Sequence, residues 1–115
     1  MMTPFEKNLE TEIKSISYSP ARRWITGHLI KPWQKTLLWE YGNEEPFKAW
    51  VFADFQERDV VAAYCSDGGF GALGSPWGII FSNGNYFGMD AGWYKTLESL
   101  IMDGWIDTPK GWEVP

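Results

Sequence analysis

The chain is poor in the residues that most often do chemistry. It has one cysteine, Cys65, and one histidine, His28, in 115 residues. A lone cysteine excludes an internal disulfide, so the core must hold the fold. One Cys and one His cannot supply the usual nitrogen and sulfur ligands of a zinc site, and the acids do not fall at calcium-loop spacing, so no metal is expected. A nucleophilic cysteine needs a base or a cationic neighbour to lower its pKa. His28 lies far upstream and no cationic cluster flanks Cys65, so Cys65 reads as a buried thiol. There is no nucleophile-elbow pattern to place a serine beside His28, which reads as a histidine in a strand between Gly27 and Leu29. Non-enzymatic function is the expectation, with no catalytic residue and no cofactor.

Long apolar runs are also missing. Nothing approaches the roughly 20 residues of a membrane helix. The first residues, "MMTPFEKNLETEIK", carry acids where a secretory signal would be apolar. A cytoplasmic protein with no membrane partner is expected. Basic charge is scarce too: the net charge is −5. It is uneven, because residues 1–35 hold six bases and three acids, while residues 36–115 hold four bases and twelve acids. An acidic body repels nucleic-acid backbones and attracts basic partners.

What the chain does have is aromatic residues: 8 Trp, 5 Tyr and 7 Phe. Each buried ring removes roughly 150–250 Å² from water, so a small core of them is stable without staples. Any surplus over one core points to a binding surface. The length fits one domain, residues 1–115.

"GFGALG", Gly69 to Gly74, matches G-x-G-x-x-G and follows the strand-like run "DVVAAYCS". A dinucleotide fingerprint needs a helix next, whose N-terminus holds the pyrophosphate. Here Ser75-Pro76 and the strand-like "WGIIF" follow, and no Walker-type lysine is present. The loop reads as a β-connection, with Phe70 and Leu73 either pinning it to the core or touching a partner.

Local signals outline an α+β fold: a mainly antiparallel sheet of five to six strands, a short N-terminal helix and a C-terminal helix packed on one face. Residues 4–15 form the first helix, with Thr3 as N-cap and Pro4 at the first position. "SYSPARR" reads as a turn and Arg23–Lys31 as a strand interrupted at Gly27, with Pro32 ending it or marking an edge. Thr36–Tyr41 and Phe47–Phe55 flank "GNEEP" as a hairpin, and Val60–Cys65 and Trp77–Phe81 are further strands. Asn83-Gly84 is a type I′ signal, placing Ser82 opposite Asn85 and Phe81 opposite Tyr86. Asp90 then caps a helix over 91–102, with Trp93, Leu97, Leu100 and Ile101 on one face and Gly104 stopping it. Trp105 and Trp112 imply that the tail lies back on the body.

Three further clusters carry alternative readings. Asp54, Glu57 and Asp59 group in "ADFQERD"; paired carboxylates run glycoside hydrolysis, but turn acids balanced by Arg58 are more simply solvated. Arg22 and Arg23 beside Trp24 are too few bases to mark a phosphate site on an acidic chain. In "GMDAGWYKTLESL", Met89, Trp93 and Tyr94 either pack the core or frame a recognition surface.

"SPWGIIF", "FGMDAGWYKTLESL" and the closing "GWEVP" together resemble a group of small bacterial proteins that share a PWG strand, a GMDxGW[YF]x[ST]LE turn-helix and a GYEV-like tail. The resemblance covers about the last 45 residues. It implies a bacterial protein and brings no catalytic residue with it. In style the chain is also similar to immunity proteins of bacterial toxin systems. The expected function is neutralisation of a toxin domain, of the basic nuclease kind, through an acidic surface containing aromatics. Glu44, Glu45, Glu57, Asp59, Phe70, Leu73, Trp93 and Tyr94 are the candidate contact residues. The alternative is a small-molecule or carbohydrate-binding module using Trp platforms.

Overall fold

A computed structural model describes residues 3–39, 43–55, 59–87 and 92–103. The expectations for Glu57, Met89, Asp90, Gly104, Trp105 and Trp112 lie outside those residues. The fold is α+β. Its elements are α1 (Pro4–Lys14), α2 (Ser19–Thr26), β1 (Leu29–Trp39), β2 (Glu45–Phe55), β3 (Val60–Tyr64), α3 (Gly69–Ala72), β4 (Trp77–Phe81), β5 (Trp93–Tyr94) and α4 (Leu97–Asp103). The five strands form one sheet in sequence order, each pair antiparallel.

Helix α1 begins where its sequence signals place it. Thr3 Oγ1 accepts from the Glu6 N–H at 3.1 Å, and the Thr3 N–H donates to Glu6 Oε1 at 2.9 Å. This reciprocal box satisfies two backbone donors that a helix start leaves open. Phe5 and Leu9, four apart, are buried beneath it.

Helix α2 corrects the sequence reading, which has a turn and then a strand here. Pro20 sits in its first turn, where a missing N–H costs nothing. Ala21 and Ile25, again four apart, are fully buried, so tertiary packing selects the helical period. Strand β1 starts only at Leu29 and runs on through Pro32, with an irregular register between Leu29 and Trp33. As the first strand of the sheet it tolerates the proline.

The C-terminal helix α4 packs on one face of the sheet, and the opposite face carries a second core. In β3, Val60 and Ala62 join a core roofed by α1, α2 and α4, while Val61 and Ala63 join a second core on the other face. A bulge in β2 opposes Val51 to Ala63 and Ala53 to Ala62, so consecutive Phe52 and Ala53 both serve the helix-side core. The second core is closed by Phe87 and Trp93, with Trp39, Phe47 and Phe70 packed against it.

The Asn83-Gly84 hairpin does not form. Neither residue has positive φ, and the Gly84 N–H donates to the Phe81 carbonyl at 2.9 Å. That closes a turn with Gly in its last position, the arrangement of a type I turn. Tyr86 does not return beside Phe81; it bridges Leu38 in parallel at the outer edge of β1. The partner of β4 is β5, with Trp77 opposite Tyr94 and Gly78 opposite Trp93. Trp93 is therefore in a strand, and helix α4 starts at Leu97. Thr96 Oγ1 accepts from the Ser99 N–H at 3.0 Å, and Glu12 Oε2 accepts from the Leu97 N–H at 3.0 Å, tying α4 to α1.

Candidate functional site

The Gly-rich stretch Gly69–Gly74 carries the chain's nearest match to a nucleotide-binding motif. It contains one helical turn, α3, not the open β-connection expected from the sequence. Five of its amides are spent on its own carbonyls: Gly71 and Ala72 donate to Gly68, Leu73 and Ser75 to Phe70, and Gly74 to Gly71. Those N–H groups are not presented to a phosphate. The glycines instead make room for rings and backbone. A Cβ on Gly68 would enter the Phe47 ring, one on Gly69 the Phe87 ring and one on Gly71 the Cys65 carbonyl. Gly69 also has φ +58, a region that favours glycine.

The solitary chemical groups are similarly engaged. Cys65 is buried, and burial pushes its thiol up from the ordinary value. His28 follows α2 instead of lying in a strand. Its Nδ1–H donates to the Trp24 carbonyl at 2.8 Å, and its ring packs against Trp24 and Phe55. Arg22 Nη1 donates to the Ile16 carbonyl and Arg23 Nη1 to Ser19 Oγ, so the basic pair braces α2.

Tryptophan platforms are also partly occupied. Trp50 lies parallel to Phe5, with centroids 5.3 Å apart, and Trp24 lies nearly parallel to Phe55 at 5.2 Å. Beside the first pair is a cleft of about 560 Å³ on the helix-side face of β1 and β2. Its walls include Pro4, Phe5 and Asn8 of α1, and its lining includes Gln34, Lys48, Trp50, Tyr64 and Asp67.

The structure divides the eight candidate contact residues. Glu44 and Glu45 are exposed at the hairpin end where β1 meets β2. Glu44 has φ +56 and its Oε2 accepts a 2.6 Å hydrogen bond from the Tyr86 hydroxyl. Glu45 Oε1 accepts from the Asn43 N–H at 2.7 Å. Trp39 is the register partner of Glu45, and its ring meets Phe70 edge-on at 5.0 Å. Phe70 is thus half-buried and pins its loop to the same end, whereas Leu73, three residues on, is 74% exposed.

Two acids, Glu44 and Glu45, and three aromatics, Trp39, Phe70 and Tyr86, therefore gather at one end of the molecule. Tyr86 and Trp39 were not among the expected contacts. The signal for Trp39 is the alternation of β1, and the signal for Tyr86 is hidden in a pairing with Leu38 that no local pattern announces.

The other candidates stand apart. Asp59 is at the far end of β2, an eleven-residue strand spanning about 33 Å along its axis. Its carbonyl accepts from the Ser82 N–H at 2.9 Å. Trp93 is taken up by the second core: it is buried, and its Nε1–H donates to the Phe87 carbonyl at 2.7 Å. Buried tryptophans satisfy their N–H in this way, and the ring is not a surface anchor. Tyr94 is half-buried against the helix-side core. Comparison with family models, characterised proteins and solved structures finds no match to this chain.

Proposed function

We propose that this chain is a non-enzymatic, cytoplasmic binding protein that covers a basic surface of a protein partner with its acidic, aromatic end, as an immunity protein neutralises a toxin domain. The observation that carries this reading is the exposed Tyr86–Glu44 pair next to the exposed Glu45. A tyrosine is a favoured interface anchor because it buries large area with few rotatable bonds. Its hydroxyl here fixes a carboxylate before any partner arrives, which lowers the ordering cost of binding. The acids of residues 36–115 supply the field that speeds encounter with a basic partner. The carbohydrate-binding alternative is weaker, because Trp24 and Trp50 each have a face covered by a phenylalanine.

The test is coexpression with the product of the adjacent gene. That product should arrest growth alone, and the wild-type chain should restore it. A harmless product, or arrest that persists while this protein is present and folded, rejects the reading.

A further inference from the structure

We propose that the open edge of β1 takes an extended, acidic peptide as an added strand, with alternate side chains entering the cleft beside α1. The Leu38 N–H donates to the Asn85 carbonyl at 2.8 Å, and the Leu38 carbonyl accepts from the Phe87 N–H at 3.3 Å. Both groups of Leu38 therefore point away from β2. The β1–β2 register is regular from Trp33 to Trp39, so Gln34 and Thr36 point the same way as Leu38. No described residue bonds their outward N–H and C=O groups. The chain already lays its own Asn85–Phe87 segment along this edge at Leu38. The same line continues past Thr36 and Gln34, both exposed. An edge of this kind is a template for one more strand.

Charge selects the occupant. Strand β1 has no acid and carries Lys31 and Lys35, of which Lys35 Nζ donates to the Ser82 carbonyl at 3.1 Å on the other face; Lys48, the register partner of Thr36, is the cation that lines the cleft. Pairing with a second copy in antiparallel fashion sets lysines of one edge against lysines of the other, and like charges directly opposed destabilise a strand pair. An acidic strand meets the opposite situation. Gln34 and Trp50 are register partners, and with Lys48 they line the side of the cleft next to this edge; Asp67 follows β3, two strands away. A strand laid beside β1 sends every second side chain onto that face. Backbone bonds then supply affinity and Lys48 favours a carboxylate in the cleft.

The experiment is fluorescence anisotropy with a labelled heptapeptide of alternating Glu and Val, and a second peptide with Lys in place of Glu. The Glu peptide should bind saturably and weaken as salt rises; the Lys peptide should not bind. Thr36→Pro deletes one outward N–H that the β1–β2 ladder does not use, so the melting temperature should hold while affinity falls on the order of tenfold. Lys48→Glu should transfer the preference to the Lys peptide, which keeps the test decisive if the proline variant is unstable. No binding of the Glu peptide, equal binding of both peptides, or full affinity in a folded Thr36→Pro variant overturns the proposal. So does self-association by sedimentation that Thr36→Pro abolishes, because the edge then belongs to a second copy.

Discussion

The Tyr86 hydroxyl donates to Glu44 Oε2 at 2.6 Å across 42 residues of sequence. Tyr86 reaches that position because its backbone neighbours bond to Leu38 on β1. The bond joins the segment after β4 to the start of β2 and orients one carboxylate at the surface. Tyr86→Phe removes it while keeping the ring. Because the pair is exposed, the stability change should stay within about 0.5–1 kcal/mol. Partner binding should weaken through loss of the oriented carboxylate. Titration calorimetry on wild type and variant, alongside thermal melts, separates the two effects.

Gly78 lies under the Trp93 ring, so a methyl group there has no space. Gly78→Ala should destabilise by about 1–3 kcal/mol, the usual cost of forcing extra volume into a packed core. Gly27 is the contrasting case. Its φ is −71, and a Cβ would meet nothing nearer than 3.6 Å. Gly27→Ala should stabilise by about 0.4–1 kcal/mol through the entropy of the unfolded chain. Urea midpoints of the two variants should move in opposite directions.

Two glutamates contribute to the acid side of the stability profile. Hydrogen bonds with Thr3 hold the Glu6 carboxyl below its ordinary value of 4.5, the backbone N–H contributing most and the side chain next. The Ser17 hydroxyl, with the Ser17 and Tyr18 N–H groups, does the same for Glu98 on α4. A carboxyl depressed in the folded state contributes stability that is full above the unfolded value and is lost as pH falls through the folded one. Glu98→Gln should therefore flatten the decline in melting temperature below pH 4.5 while leaving its shape above that pH unchanged. Thr3→Ala should cost about 1 kcal/mol at neutral pH by opening the capping box.

Cys65 should be inert in the native protein, since burial raises its pKa and limits access. Ellman's reagent at pH 8 should label it only on unfolding, at a rate that follows denaturant. Rapid labelling of the native chain would contradict the packing of the second core.

Elements set by neighbouring residues were legible in the sequence. Thr3, Pro4 and Glu6 announce α1, and the "GNEEP" cluster announces the β1–β2 hairpin. Elements set by distant partners were not. Pro20 reads as a turn until Ala21 and Ile25 are seen against the core. The Asn83-Gly84 signal is overridden because the next residues bond to Leu38, far back in the chain, and β4 pairs with β5 instead. The acids of the proposed docking end were legible because exposed turns favour charge. Its aromatics were not: composition cannot say that Trp93 is buried while Tyr86 is at the surface.

The most direct test of the proposed docking end is the association rate with the proposed basic partner, measured by stopped flow against salt concentration. Glu44→Lys with Glu45→Lys reverses charge at that end, and Asp59→Lys reverses it at the opposite end of β2. The account predicts a wild-type rate that falls steeply as salt shortens the Debye length below about 8 Å. It predicts a much slower rate for the Glu44/Glu45 variant and a near-normal one for Asp59→Lys. A rate insensitive to salt, or slowed more by Asp59→Lys than by the paired glutamate reversal, would contradict it.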